Sequence, residues 1–367
     1  MKTDRHGFRR AIAVRPKRGL KAVSASIRVH LWLLFAIVAA QLCVPPAYAA
    51  RTFVLKFASL APEGSTWQNG LQKAADEIKE RSHGRLIFRM YPGGVAGDER
   101  DVLRKIKIGQ LHGAAFTGVG LGEICPSVRV MEIPFFFRNY DEVDHVSHEL
   151  MPRFQEGFDR NGFKLLGWME VGFIQFFSKH PIRSLDELRE SKIWMWEGDP
   201  LAEAFFAAAD IHPVPLSITE VLTSLSTNLI DTVYASPLGA IALQWASKVS
   251  YMSEVPMANG IAGVVVSKRF FDRLPPDLQE LLEEVLARES RTLVERTRLD
   301  NQQSMEVMKE RGIQVTFDRN SLNQEEVDTI QSRAIAHLVG NLFSQDLVDE
   351  VRRSLHEYRT AHASSGP

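Results

Sequence analysis

Cysteine is nearly missing from this chain: 367 residues contain two, Cys43 and Cys125. That excludes a disulfide framework, and no C-x-x-C pair exists for redox or zinc chemistry. Long apolar runs are also scarce. Leu31 to Ala40 is unbroken for ten residues, about 15 Å of helix against a hydrocarbon core of roughly 30 Å, and no later stretch approaches a membrane span. There is no Walker loop, no G-x-G-x-x-G after a strand and no H-E-x-x-H. Beyond the first 49 residues no Lys/Arg cluster occurs, which argues against nucleic acid as a partner. What remains is ordinary globular composition, 45% hydrophobic and 24% charged, enough for one large or two medium domains.

The formal charge of −1 conceals an asymmetry. Residues 1–49 carry nine basic side chains and one acid, so the 44 basic and 45 acidic residues of the whole chain fall to 35 and 44 in the remainder, a balance near −9. A basic segment, then the apolar run, then Pro45, Pro46 and Ala47-Tyr48-Ala49 read as a secretory signal peptide cleaved after Ala49, which places the mature protein in the periplasm. Leu42 is too bulky for the small residue that a lipoprotein signal needs before Cys43. Cys125, the one mature cysteine, lacks a neighbouring His and reads as a small buried hydrophobe.

Arg51 to Ser59, Leu86 to Tyr91 and Ala114 to Thr117 have strand composition and alternate with helical patterns from Ser65, ended by Gly84, and over Asp98 to Ile108. Such alternation predicts parallel pairing with right-handed crossovers. Gly118 to Gly122 reads as a strand-to-loop transition lining a cleft. Tyr140 to Arg160 is helical, and Phe163 to Ser178 extended with breaks at Gly167 and Gly172. A second α/β series runs from Lys192 to Ser247, and Ile261 to Ser267 is a strand buried on both faces. Pro276 to Arg311 would form a helix about 50 Å long, so it should bridge two lobes.

The fold class is therefore α/β, with two lobes, inter-lobe hinge strands and a long bridging helix. The expected division is a signal peptide over 1–49, lobe I over 50–172 plus about 260–312, lobe II over 173–259 plus about 313–342, and a C-terminal helix and tail over 343–367. Hinges are expected near Gly172 and Gly260. His145 and His148 lie among four acids on one helix and read as a solvated face, so neither a metal nor a cofactor is expected. With no catalytic constellation visible, a closable cleft predicts capture of a small molecule and no enzyme activity.

Four motifs sharpen this reading: Tyr91-Pro-Gly-Gly-Val-Ala-Gly-Asp-Glu99, Glu132-Ile-Pro-Phe-Phe-Phe137, Leu185-Asp-Glu-Leu-Arg-Glu-Ser-Lys-Ile193, and Pro213-Val-Pro-Leu-Ser-Ile-Thr-Glu-Val221 continuing to Asp231. In this order and spacing the chain resembles the DctP-type extracytoplasmic solute receptors of TRAP transporters (tripartite, ATP-independent periplasmic transporters). The resemblance implies a two-lobed binding protein that delivers its ligand to membrane permease subunits. It also implies an arginine after Lys192-Ile193 and a second one two residues after Gly172, where most members fork a guanidinium onto a carboxylate. Here those positions are Trp194 and Ile174, and no arginine lies between 191 and 231 or between 161 and 181.

Strand alternation puts Trp194 and Trp196 on one face and Met195 on the other. Either both indoles enter the cleft, or one packs under the helix that follows Asp199. Tyr234 and Ser236 stand where the family carries polar contacts, Glu197 follows the tryptophans, and Phe116, Phe135, Met169 and Phe173 edge the facing lobe. This set suits an apolar or aromatic ligand, since burying an unpaired carboxylate against it is costly. A carboxylate receptor with a non-standard anchor and a stand-alone periplasmic carrier of hydrophobic molecules are the alternatives.

Overall fold

The computed structural model describes residues 51–317 and 323–363; the expected signal peptide and cleavage point lie outside the described residues. Strand β1 (Phe53–Ser59) turns Phe53, Leu55 and Phe57 into the core. Helix α1 (Thr66–Arg81) starts where the Ser65 side chain accepts the Gln68 N–H, and it lays Leu71, Ala74 and Ile78 on the sheet. The chain leaves α1 through Gly84 at φ +76°, a backbone state that favours glycine. Strand β2 (Leu86–Tyr91), α2 (Glu99–Lys107) and β3 (Gly113–Thr117) complete two strand–helix–strand units, and β1 pairs in parallel with both β2 and β3.

Next come α3 (Gly118–Ile124), a 3-10 turn over Pro126–Glu132, α4 (Tyr140–Arg160) and β4 (Phe163–Ser178). The glycine-rich stretch after β3 is thus a short helix and not the expected loop. The buried Glu99 carboxylate accepts the Thr117 N–H at 2.7 Å, the Thr117 hydroxyl at 2.9 Å and the Gly120 N–H at 2.7 Å, which caps its start. Close packing explains the glycines: a Cβ on Gly118 would fall 1.9 Å from the Glu132 carboxylate, and one on Gly122 2.8 Å from the Arg129 side chain.

The second series is α5 (Leu185–Arg189), β5 (Trp194–Trp196), α6 (Pro200–Ala208), β6 (Val214–Leu216), α7 (Val221–Ser226), β7 (Thr232–Ala235), α8 (Pro237–Ala242) and β8 (Tyr251–Ser253). It is followed by β9 (Ala258–Ser267), α9 (Lys268–Phe271), α10 (Pro276–Glu310), β10 (Gln314–Phe317), α11 (Gln324–Leu338) and α12 (Gln345–Ala363). Strand β8 is too short, at three residues, to show a pattern in the sequence.

Strand β4 belongs to two sheets. Up to Ile174 it pairs antiparallel with β9, which continues to β3, β1 and β2; from Gln175 it pairs with β7 and then β8, which carries β10. The expected breaks in this strand are register shifts, at Leu165/Gly167 and at Glu170/Gly172, and the strand itself is continuous. Gly172 has φ +101° and faces Gly260 in register, so the two expected hinge glycines sit side by side. Asn301 of α10 donates to the Val171 carbonyl at 3.0 Å and accepts the Leu238 N–H at 2.9 Å, tying the long helix to this crossing. Along α10 the buried residues change from Leu282, Val285, Leu286 and Leu293 to Thr297, Asp300, Asn301 and Ser304, then to Met308 in the second lobe's core. The apolar stripe gives way to small polar residues where the helix passes from one lobe to the other.

Candidate functional site

A cavity of about 210 Å³ lies between the lobes, against the β4/β9 crossing. Of the residues expected in the site, Phe116, Met169, Ile174, Trp194, Trp196, Tyr234 and Ser236 line it; Phe135, Phe173 and Glu197 do not. Strand geometry accounts for the exclusions. Ile174 faces the cavity, so its neighbour Phe173 points to the opposite face, where it meets the Tyr140 ring at 4.7 Å. Phe135 packs into the second lobe's core 6.2 Å from Phe205. Glu197 follows the end of β5 and is exposed, the chain turning away at Gly198.

Both tryptophans of β5 reach the cavity, while Met195 enters the core behind them. Trp194 is 1% exposed. It stacks on Tyr234 at 4.8 Å, meets Trp245 edge-on at 5.3 Å and lies 5.9 Å from Trp196. Its Nε1 donates to the Leu216 carbonyl at 3.0 Å, and Trp196 Nε1 donates to the Asp98 carboxylate at 3.1 and 3.2 Å. Both indole donors are engaged by the protein itself. A ligand therefore meets aromatic surface here and no free N–H.

Sequence reasoning missed a charged cluster in the same wall. Arg129 donates from Nη2 to Asp199 Oδ2 at 2.9 Å, and its Nε stands 2.7 Å from Glu132 Oε2, an ion pair too misaligned to count as a hydrogen bond. Glu132 Oε1 accepts the Ile261 N–H at 2.9 Å, and Asp199 Oδ1 accepts the Leu201 N–H at the start of α6. All three residues are buried and line the cavity. The available signal was two isolated charges, Arg129 and Glu132, inside an otherwise apolar stretch, since lone charges in such a run are buried in pairs.

Burial pushes the Glu132 carboxyl up to about 7, with the Asp199 charge adding and the Arg129 guanidinium opposing; burial likewise raises Glu99 to about 7 against the hydrogen bonds from Thr117 and Gly120. Both groups hold protons more tightly folded than unfolded, so stability should fall as pH climbs from about 4.5 to about 7, by on the order of a few kcal/mol. Burial holds His112 below its usual value, which acts in the opposite sense, but it is one group against two. The carboxylates held low by arginine partners, such as Glu77 and Glu142, lose their contribution only beneath this window. Urea midpoints should thus be higher at pH 5 than at pH 8, and a flat or rising profile would contradict this account.

Around the cavity mouth the lobes touch through Asp98. This carboxylate caps α2 through the Glu99 N–H at 2.6 Å, and from the other lobe it accepts Trp196 Nε1, the Ser217 hydroxyl at 2.7 Å and the Ile218 N–H at 3.3 Å. Arg100 adds a bond to the Gly198 carbonyl at 2.8 Å. Asp98→Ala removes every one of the Asp98 bonds, so ligand affinity should drop about tenfold or more. The radius of gyration from small-angle scattering should also grow. An unchanged radius with unchanged affinity would show that Asp98 does not hold the lobes together.

The chain matches the family model for bacterial extracellular solute-binding protein, family 7, over residues 57–334. Among curated proteins it is 23% identical over 253 residues to the 2,3-diketo-L-gulonate-binding periplasmic protein YiaO of Escherichia coli, covering 67% of this chain and 76% of that one. It is 22% identical over 276 residues to the sialic acid-binding periplasmic protein SiaP of Vibrio cholerae, covering 72% and 82%. Among solved structures, a TRAP periplasmic solute binding protein from Xanthobacter autotrophicus with bound β-D-galacturonate superposes with a TM-score of 0.75 at 20% identity, over 82% of this chain and 99% of that chain.

Proposed function

Because the chain belongs to bacterial extracellular solute-binding protein family 7, the DctP family, we propose that it is a periplasmic receptor for a compact, uncharged, largely aromatic or apolar solute. On this reading it closes around the solute and passes it to the membrane subunits of a TRAP-type transporter. The same reading divides the chain at the hinge, with lobe I over 50–172 and 260–312 and lobe II over 173–259 and 313–342. The change of partner along β4 and the polar stretch of α10 support that division.

One observation carries the ligand class. The two positions where the family resemblance implies arginine hold Trp194 and Ile174 in the cavity wall, and the arginine that does line the cavity is already matched by two carboxylates. A bound organic acid would bring a further negative charge beside Arg129, which Asp199 and Glu132 already contact, in a setting that excludes water, and this is unfavourable. A cavity of about 150 Å³ holds benzene, so about 210 Å³ suits one substituted ring or two small fused rings.

The second reading is an organic-acid receptor anchored by Arg129. It is favoured by that residue's place in the wall and by the acids that the similar proteins bind. Tryptophan fluorescence separates the two, because Trp194, Trp196 and Trp245 all border the cavity. Neutral aromatic compounds should quench or shift the emission at micromolar concentration, while C4 dicarboxylates, sugar acids and 2-oxo acids should not. Tight binding of an acid with neutral aromatics silent would replace the first reading by the second.

A further inference from the structure

The tryptophan wall of lobe II has a counterpart on lobe I. Trp67, in the first turn of α1, borders the same cavity. It shares a helix face with Leu71, one turn further on, which borders the cavity as well. Leu71 is buried in the core under the sheet, whereas Trp67 stands outside that core and keeps part of its surface exposed. One contact sets the orientation of its indole: Nε1 donates to the Glu170 carbonyl at 3.3 Å, between the wall residues Met169 and Val171 of β4. That anchor is itself held, since the Glu170 carboxylate accepts Arg298 Nε at 3.0 Å and the same guanidinium pairs with Asp144. On lobe II, Trp194 is packed ring against ring with Trp196, Tyr234 and Trp245. Among the described residues no aromatic ring stacks on Trp67.

We propose that Trp67 is the lobe I contact for the ligand, and that the ligand is a flat aromatic ring held between Trp67 and the indoles of β5. This rests on the uncharged-ligand reading and narrows it from apolar solutes in general to planar aromatic ones. Both walls border one space of about 210 Å³, so a substituted ring that fills it meets both. A saturated ring gains there from buried area alone, whereas an aromatic ring adds the electrostatic match of ring against ring. Trp67 presents its face without a donor left to satisfy, because its N–H is engaged by Glu170.

Benzyl alcohol and cyclohexylmethanol test this by calorimetric titration of the mature protein, because they share a hydroxymethyl group and a six-membered ring and differ in whether that ring is aromatic. Benzyl alcohol should bind about fivefold tighter, although the saturated ring is the more apolar of the two. Trp67→Leu should erase that preference and leave cyclohexylmethanol within about twofold of its original affinity, while Trp67→Phe should keep most of the preference. A second readout uses the unmodified sequence with fluorotryptophan incorporated. The fluorine resonance that is missing from the Trp67→Phe spectrum should shift when benzyl alcohol is added, through the ring current of a ring lying on the indole. Equal affinities of the unmodified protein for the two alcohols, a preference that survives Trp67→Leu, or a Trp67 resonance unmoved at saturation would each overturn Trp67 as the ring contact while the uncharged-ligand reading stands. If benzoate outbinds benzyl alcohol, both are wrong.

Discussion

Trp194→Ala should cost about 3–5 kcal/mol of stability, the range for losing a buried aromatic side chain, and weaken ligand binding by on the order of 2 kcal/mol, about 30-fold. The stability loss comes from three rings that lose a shared partner, Tyr234, Trp245 and Trp196, and from the unpaired Leu216 carbonyl. The affinity loss is separate, because one face of the same indole borders the cavity. Trp194→Phe distinguishes the two: it keeps an aromatic face and loses the hydrogen bond, so it should recover most of the affinity and only part of the stability. Urea unfolding and calorimetric titration at low temperature measure both quantities on folded protein. Unchanged affinity in a folded Trp194→Ala protein would mean that the ligand never reaches this wall.

The tryptophan pair was legible because strand alternation is a local rule. Once Trp194 faces the cavity, Trp196 must share its side and Met195 must not. The same rule also decides between Ile174 and Phe173, but only after one of them is placed, and the sequence alone does not say which face of β4 looks inward. The two glycines of the crossing were legible for another reason, since glycine in a β-rich stretch marks backbone freedom; their opposition, however, arises from a pairing across 88 residues. Arg129 and Asp199 were not legible as a pair in the site. The isolated charge at Arg129 signals burial with a counter-ion, but its partner Asp199 lies 70 residues further along the chain, and neither composition nor periodicity carries that pairing. The short helix after β3 failed in the same way, because its cap is Glu99, 18 residues before Thr117.

Arg129→Met should be the most destabilising single change in the cavity wall above neutral pH. It leaves Glu132 and Asp199 buried without their cation, and losing one partner of such a group costs about 3–5 kcal/mol. The loss should depend on pH with a definite sign. The guanidinium is what lowers the Glu132 pKa against burial and the Asp199 charge, so its removal raises that pKa further. At pH 5 Glu132 is then protonated and much of the stability should return, whereas at pH 8 its ionisation should make the protein weakest. The triple variant Arg129→Met, Glu132→Gln, Asp199→Asn removes all three charges, and it keeps an acceptor for the Ile261 N–H and an amide cap for α6. It should regain most of the lost stability and show a flatter pH profile, because an ion-pair cluster replaced as a whole is often nearly neutral in energy. Ligand preference measured on this background decides the role of the arginine. If neutral aromatics still outrank carboxylates, Arg129 serves to neutralise its two acids across the cavity. An organic acid that binds the unmodified protein tightly and is lost only in the variants would identify Arg129 as a carboxylate anchor that has moved from the β5 position to the turn before Ile133.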